Sequence, residues 1–331
     1  MESGSSRDRF SSPCVSTDFG AYGELGRALA MVSSIVVCQR EVKIRGQALR
    51  IARIEGDKYR FLDEPETIIS GLRNCGTRID LFTFIQRLPD TTPKYKYTME
   101  WDNVAAIRIS TFDDWWTKTL GFKGRNKAKQ AEKKGVELRE VSFDDHLIEG
   151  IWQIYNECPI RQGKRFPHYG MSRERVREYA GTFLDCSIFL GAFFDGALIG
   201  FAKLTMDETC TQAGLMHIVS MIRHRDKAPT NALIAEAVRT CASRKISYLV
   251  YSQFAYGNKQ RDSLSDFKER NGFQRVDIPR YYVPLTRFGK LALHFGLHRS
   301  LIEWLPEPLI TKLRTYRAGW YARGPSRLEA S

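Results

Sequence analysis

The stretch "SIFLGAFFDGALIGFAKLTM" (187–206), followed closely by "QAGLMHIVSMI" (212–222), constrains this chain more than any other feature. Two apolar runs flank Asp195-Gly196, a dipeptide suited to the left-handed backbone of a tight hairpin turn. A hairpin and a third apolar strand together require a sheet with a buried face. A helix comes next: beyond a dense basic turn, Leu233, Ala237, Val238 and Cys241 recur at i, i+4, i+5 and i+8, one apolar face. "SYLVYSQFA" then reads as a strand, "DSLSDFKERNGF" as a short helix ending at Gly272, and "QRVDIPRYYVPL" as a last strand. Upstream, "DDHLIEGIWQIYNECPI" reads as a helix that stops before Pro159. The order helix, hairpin, strand, helix, strand, helix, strand predicts an α/β (α+β) chain built on a mixed sheet.

The first part of the chain has the same flavour. "SSIVVCQREVKI", "QALRIARI", "IDLFTFIQRL" and "VAAIRIS" read as strands, and "EPETIISGLRNC" as a helix. "LPDTTPKYKY" is a loop punctuated by proline. One echo links the two parts: "RNCGTRIDLFTFIQ" (73–86) and "RTCASRKISYLVYSQ" (239–253) share R-x-C-x-x-R, an apolar strand and a glutamine. It predicts two related halves, with the first degenerate. The expected divisions are a disordered leader at 1–33, a first half at 34–117, a basic connecting helix at 118–135, a second half at 136–288 and a basic helical tail at 289–331.

Charge narrows the partners. Lys and Arg number 51 against 38 Asp and Glu, a net +13, which favours polyanions such as RNA, anionic lipid or a phosphorylated cofactor. The seven cysteines are scattered, odd in number and never in CxxC spacing, so neither a disulfide framework nor a zinc site is expected. His294 and His298 stand at i, i+4 without a third ligand nearby in sequence, so no metal is expected there. "ALAMVSSIVVC" (28–38) is too short to span a bilayer and too far along for a usual signal peptide. A cytoplasmic protein is expected, with the inner membrane face as a further location.

The basic turn itself, "MIRHRDKAPTN", lies between a strand and a helix start. A helix N-terminus favours an anion through its unsatisfied N–H groups and its dipole. Yet the turn contains no glycine and Pro229 has no N–H to offer. What remains for a phosphate is the helix end with Thr230 and Asn231, and the cations Arg223, Arg225 and Lys227.

The element order from 147 to 284 resembles the GNAT acyltransferase fold. "SDFKERNGF" and "RNKAKQAEKKGVELREV" resemble the FemAB-like branch, whose members carry two GNAT-like halves. The resemblance covers roughly 40–290. It implies transfer of an acyl or aminoacyl group to an amine, forming an amide in envelope or exopolysaccharide biosynthesis. The implied donor is an acyl-CoA or an aminoacyl-tRNA, and the implied acceptor an amine-bearing sugar or peptide precursor. GNAT enzymes read R/Q-x-x-G-x-G/A in their pyrophosphate loop; Arg225 to Thr230 matches with both glycine positions replaced. Where GNAT enzymes commonly have a tyrosine, Phe267 is followed here by Lys268, a version the FemAB-like enzymes resemble. An ammonium held near the reacting carbonyl would stabilise the tetrahedral oxyanion.

Three further segments carry candidate residues. "NECPIRQGKRFPHYG" (156–170) has the length and composition of a substrate-contacting loop. In it, Arg161 and Arg165 suit a phosphate or carboxylate, Tyr169 suits substrate contact, and Glu157 or His168 could take a proton from the attacking amine. The basic helix with Lys123, Arg125, Lys127, Lys129, Lys133 and Lys134 suits an RNA backbone, tRNA included, without base reading. The tail from 289 alternates basic residues with Leu, Trp and Tyr, which fits either an anionic membrane face or packing on the fold. A non-catalytic RNA- or membrane-binding protein on a degenerate transferase scaffold is the rival reading.

Overall fold

The computed structural model describes residues 15–16, 32–161, 164–255 and 263–299. The expected leader lies almost wholly outside these residues, as does the tail beyond 299. Strand β1 (Val32–Val37) turns directly into β2 (Arg40–Arg45), so "SSIVVCQREVKI" is a hairpin and not the single strand expected. Cys38 and Gln39 close the turn with φ of 49° and 62°, a left-handed conformation that neither residue type announces. β3 (Ile51–Ile54), α1 (Pro65–Asn74), β4 (Leu81–Ile85) and β5 (Thr98–Arg108) complete the first part.

The second part opens with the basic helix α2 (Phe122–Lys133), β6 (Glu137–Val141) and α3 (Asp145–Asn156). α4 (Arg173–Ala180) follows, then the hairpin β7 (Ser187–Phe194) and β8 (Ala197–Met206) about Asp195-Gly196, as expected. β9 (Gln212–Ser220), α5 (Pro229–Ser243), β10 (Tyr248–Val250), α6 (Ser263–Arg270), β11 (Gln274–Pro284) and α7 (Arg287–His294) complete the order. Local chemistry explains several starts: Asp144 accepts the Leu147 N–H at 2.9 Å ahead of α3, and Ser172 the Arg175 N–H ahead of α4.

All the long strands join one mixed sheet in the order β1-β2-β3-β4-β11-β5-β10-β9-β8-β7-β6. That order is nearly a palindrome. β1, β2, β3, α1, β4 and β5 have β7, β8, β9, α5, β10 and β11 as their counterparts. Each set is an antiparallel meander, then a helix crossover to a parallel strand (β3 to β4, β9 to β10). The last strands are exchanged: β11 lies beside β4, and β5 beside β10. The sequence echo falls on equivalent places, the end of α1 with β4 and the end of α5 with β10. Exchange locks the halves, since neither half's sheet is continuous without a strand from the other.

Most core residues lie around the second set of strands. Leu233, Ala237, Val238 and Cys241 of α5 are fully buried, which bears out the apolar face read from their spacing. Burial pushes the Cys241 thiol up to about 12, so it is an unreactive packing group. At the strand exchange, Arg280 of β11 donates to Asp102 of β5 at 2.9 Å and to Asp57 at 3.3 Å. Burial opposes ionisation of both carboxyls, but Arg280 and its neighbours outweigh it and hold them below the ordinary range. The exchange is thus stitched by a buried ion triad as well as by the ladder.

Candidate active site

β9 ends at Ser220, and the basic segment that follows is a short 3-10 helix, Ile222–Lys227, more ordered than the expected turn. Ala228 then caps α5 at φ 54° and ψ 41°. This is the backbone that glycine adopts freely and that costs an alanine about 1–2 kcal/mol. The turn therefore keeps a glycine-type shape where the residue is not glycine. Pro229 takes the first helical position, which its fixed φ suits. The buried Thr230 hydroxyl lies 2.8 Å from Ser220 Oγ, tying the helix start to the strand end.

The cations of this turn divide into two kinds. Arg223 and Arg225 are exposed. Lys227 lies over the Phe194 ring at 4.3 Å and stands 3.8 Å from Asp226. The basic helix α2 borders the same turn: Gln130 donates to the Asp226 carbonyl at 2.5 Å, and Lys134 pairs with the Asp226 carboxylate at 2.8 Å. Lys127 bonds Gln130 at 3.0 Å, one turn further along that stripe. At the other end of α2, Gly124 meets α6 so closely that a Cβ would fall 2.3 Å from the Arg270 carbonyl oxygen. The helix thus borders the turn at one end and α6 at the other, and Lys123, Lys127, Lys129, Lys133, Arg223 and Arg225 are all exposed.

Asn231, on the first turn of α5, donates to Asn271 Oδ1 at 2.9 Å, and Asn271 donates to the Phe267 carbonyl at 2.8 Å. The 225–231 bend and the Phe267-Lys268 pair therefore adjoin. Lys268 itself is fully buried; its ammonium donates to the Gln253 carbonyl and lies 4.6 Å from the Tyr251 ring centre. Gln253 in turn bonds Asp102 at 3.1 Å. A polar chain thus runs from Lys268 through Gln253 to the Asp102–Arg280–Asp57 triad of the strand exchange. Phe267 is buried in the core beside it.

The 156–170 loop places its candidates differently from one another. Glu157 accepts the Ile222 N–H at 2.6 Å and the Arg223 N–H at 2.9 Å, so its carboxylate caps the 3-10 helix. Arg161 is buried, donates to the Ser220 carbonyl at 2.8 Å and lies 3.4 Å from Glu157. Its guanidinium also covers the Phe166 ring at 4.3 Å. Together, Glu157 and Arg161 set the geometry of the cationic turn. His168 is buried and stacked on Tyr155 at 4.6 Å, while Arg165 and Tyr169 are exposed.

Sequence reasoning missed His217 of β9 and Lys203 of β8. They are cross-strand neighbours, both fully buried, on the face covered by α3 and α4. Lys203 donates to the Ala180 carbonyl at 2.8 Å and to Thr182. His217 meets Tyr179 at 4.9 Å, and neither ring nitrogen has a hydrogen-bond partner among the described residues. Burial, with Lys203 and His168 nearby, holds its pKa well below the usual histidine value. The available signal was a polar residue amid two apolar strands, "GLMHIVS" and "GFAKLTM".

No family model and no curated protein matches the chain. Solved structures do. The C-terminal domain of a protein described as a lysylphosphatidylglycerol synthetase from Agrobacterium fabrum is similar at 14% identity and a TM-score of 0.52, over 80% of this chain and 87% of that one. The structure of FemX is similar at 8% identity and a TM-score of 0.51, over 77% of this chain and 89% of that one. Such likenesses show a shared fold. With the strand order above, the fold class is α/β with a mixed sheet, as expected from the sequence.

Proposed function

We propose that the chain is a transferase that moves an acyl or aminoacyl group from a phosphate-bearing donor to an amine. The observation that carries this reading is the junction at Asn231 and Asn271, which brings a cationic helix start beside the Phe267-Lys268 pair. Donor phosphates would meet the exposed Arg223 and Arg225, because the first turn of α5 is buried with Thr230 tied to Ser220 and Asn231 to Asn271. An aminoacyl-tRNA fits better than acyl-CoA, because α2 extends the cationic surface well past one pyrophosphate and suits an RNA backbone. One structural neighbour is described as a lysylphosphatidylglycerol synthetase, a name that joins an aminoacyl group to a lipid and so supports an aminoacyl donor and an envelope acceptor.

In the proposed step the amine nitrogen attacks the donor carbonyl carbon, and the new C–N bond forms as oxygen gains charge. Lys268 is fully buried on the Gln253 carbonyl, so in this reading donor binding uncovers its ammonium, which then stabilises that oxyanion. The donor's C–O or C–S bond then breaks, and the leaving group takes the proton that the nitrogen loses. Glu157 acts in this reading as a positioning residue for the turn, since both its oxygens hold backbone N–H groups. The test is transfer from charged tRNA or acyl-CoA to amine acceptors, with the amide product detected by mass. Product from at least one donor supports the reading. Tight tRNA binding without product from either donor would favour a non-catalytic RNA-binding protein on the same scaffold.

A further inference from the structure

We infer that α7 is a membrane-docking element that seats one end of the protein on an anionic lipid surface. A helix on a globular fold ordinarily turns its large apolar side chains inward. Here the inward positions are small: Gly289 and Ala292 are buried. The large apolar residues face out, with Phe288 41%, Leu291 54%, Phe295 58% and Leu297 58% exposed. Contiguous exposure of four such side chains marks an interaction surface and not the scattered apolar residues of an ordinary exterior.

The segment is held rigidly in this orientation. Thr286 bonds the Asp80 carboxylate at 2.9 Å and accepts the Gly289 N–H at 2.9 Å. A Cβ on Gly289 would fall 1.9 Å from the Asp80 carbonyl oxygen, so only glycine permits this close seat. At the far end, Glu100 accepts from Arg299 at 2.8 Å and bonds His298 at 3.0 Å. Two carboxylates thus fasten both ends and leave the apolar strip facing outward.

Charge selects lipid as the occupant. Residues 278–302 contain no Asp or Glu, and Arg287 and Lys290 are exposed beside the apolar strip, while Arg299 spends its charge on Glu100. Arg78, paired with the Asp80 carboxylate at 3.1 Å, packs 5.5 Å from the Phe288 ring and so adds no net charge to the patch. Apolar side chains interleaved with cations match the boundary of an anionic bilayer, where acyl tails take the first and headgroups the second. The location is consistent with this. β9 is parallel to β10, and both β10 and β11 are antiparallel to β5, so β9 and β11 run the same way. The cationic turn after β9 and α7 after β11 therefore leave the same end of the sheet. The inference stands independently of the transferase reading, since its test reads no activity.

Flotation of the full chain with phosphatidylcholine vesicles, with and without phosphatidylglycerol, decides it. The wild type should float with the anionic vesicles about tenfold more than with the neutral ones. The combined variant Phe288→Ser, Leu291→Ser, Phe295→Ser and Leu297→Ser should lose flotation with an unchanged circular dichroism spectrum. Arg287→Glu with Lys290→Glu should remove the preference for anionic vesicles and serves if the serine variant misfolds. Failure of the wild type to float would overturn the inference. So would undiminished flotation of the folded serine variant, which would move the lipid contact elsewhere in the chain.

Discussion

Asn231 at the start of α5 donates its side-chain amide to Asn271 at the end of α6, 2.9 Å away and shielded from solvent. This one bond fixes the cationic turn relative to the helix that carries Lys268. It also leaves Asn231 Oδ1 buried and without a partner among the described residues. Removing either side chain should therefore loosen both elements together. A double-mutant cycle of Asn231→Ala and Asn271→Ala, read by urea unfolding, should give a coupling of about 1 kcal/mol. Simple additivity of the two substitutions would show that the helix ends are positioned by something else.

Lys268 is the residue the proposed chemistry depends on. Lys268→Met should lower turnover by about 10²–10³, the usual cost of removing an oxyanion donor. Some stability will go as well, because the Gln253 carbonyl loses its ammonium partner. Circular dichroism under assay conditions separates the two effects. A folded Lys268→Met protein with wild-type turnover would remove the residue from the mechanism.

Ala228 holds a left-handed backbone that its side chain disfavours. Ala228→Gly should raise the stability by about 1 kcal/mol, because relief of that strain exceeds the entropy a glycine adds to the unfolded chain. Denaturant midpoints compare the two proteins directly. A lower midpoint for the glycine variant would mean that the methyl group contributes packing that outweighs the strain.

Periodicity revealed what depends on neighbours in sequence. The apolar face of α5, the Asp195-Gly196 hairpin and the helix ending at Gly272 all follow from local spacing and turn chemistry. The duplication was visible as the echo of residues 73–86 in 239–253, but the exchange of β5 and β11 was not. Strand partners are chosen across the whole chain, and nothing local in "QRVDIPRYYVPL" states that its neighbour is β4. The candidate site was legible as a list of cations and less so as an arrangement. In sequence Glu157 looks like a free base and Arg161 like a free anion-binding group, while the structure gives their charges to the backbone of the 3-10 helix and β9. The left-handed turn at Cys38-Gln39 escaped notice because no glycine, proline or asparagine marks it.

His217 makes the native state sensitive to acid. Its pKa lies below that of the unfolded chain, so between the two values the unfolded state binds more protons. The stability from keeping this imidazole neutral is fully present above the unfolded value of about 6.5 and is lost as pH falls below it. The loss should approach about 1.4 kcal/mol per pH unit. His217→Gln should flatten that slope in a series of urea titrations between mildly alkaline and mildly acidic pH. An equal slope in both proteins would place the titrating group elsewhere.

The central claim is that the turn before α5 holds the phosphates of an activated donor. Native mass spectrometry of the full chain mixed with tRNA or CoA, for the wild type and for Arg223→Glu with Arg225→Glu, tests it most directly. A complex with the wild type, weakened about tenfold or more by charge reversal, is the predicted result. Equal capture by both proteins, or capture by neither, would contradict it.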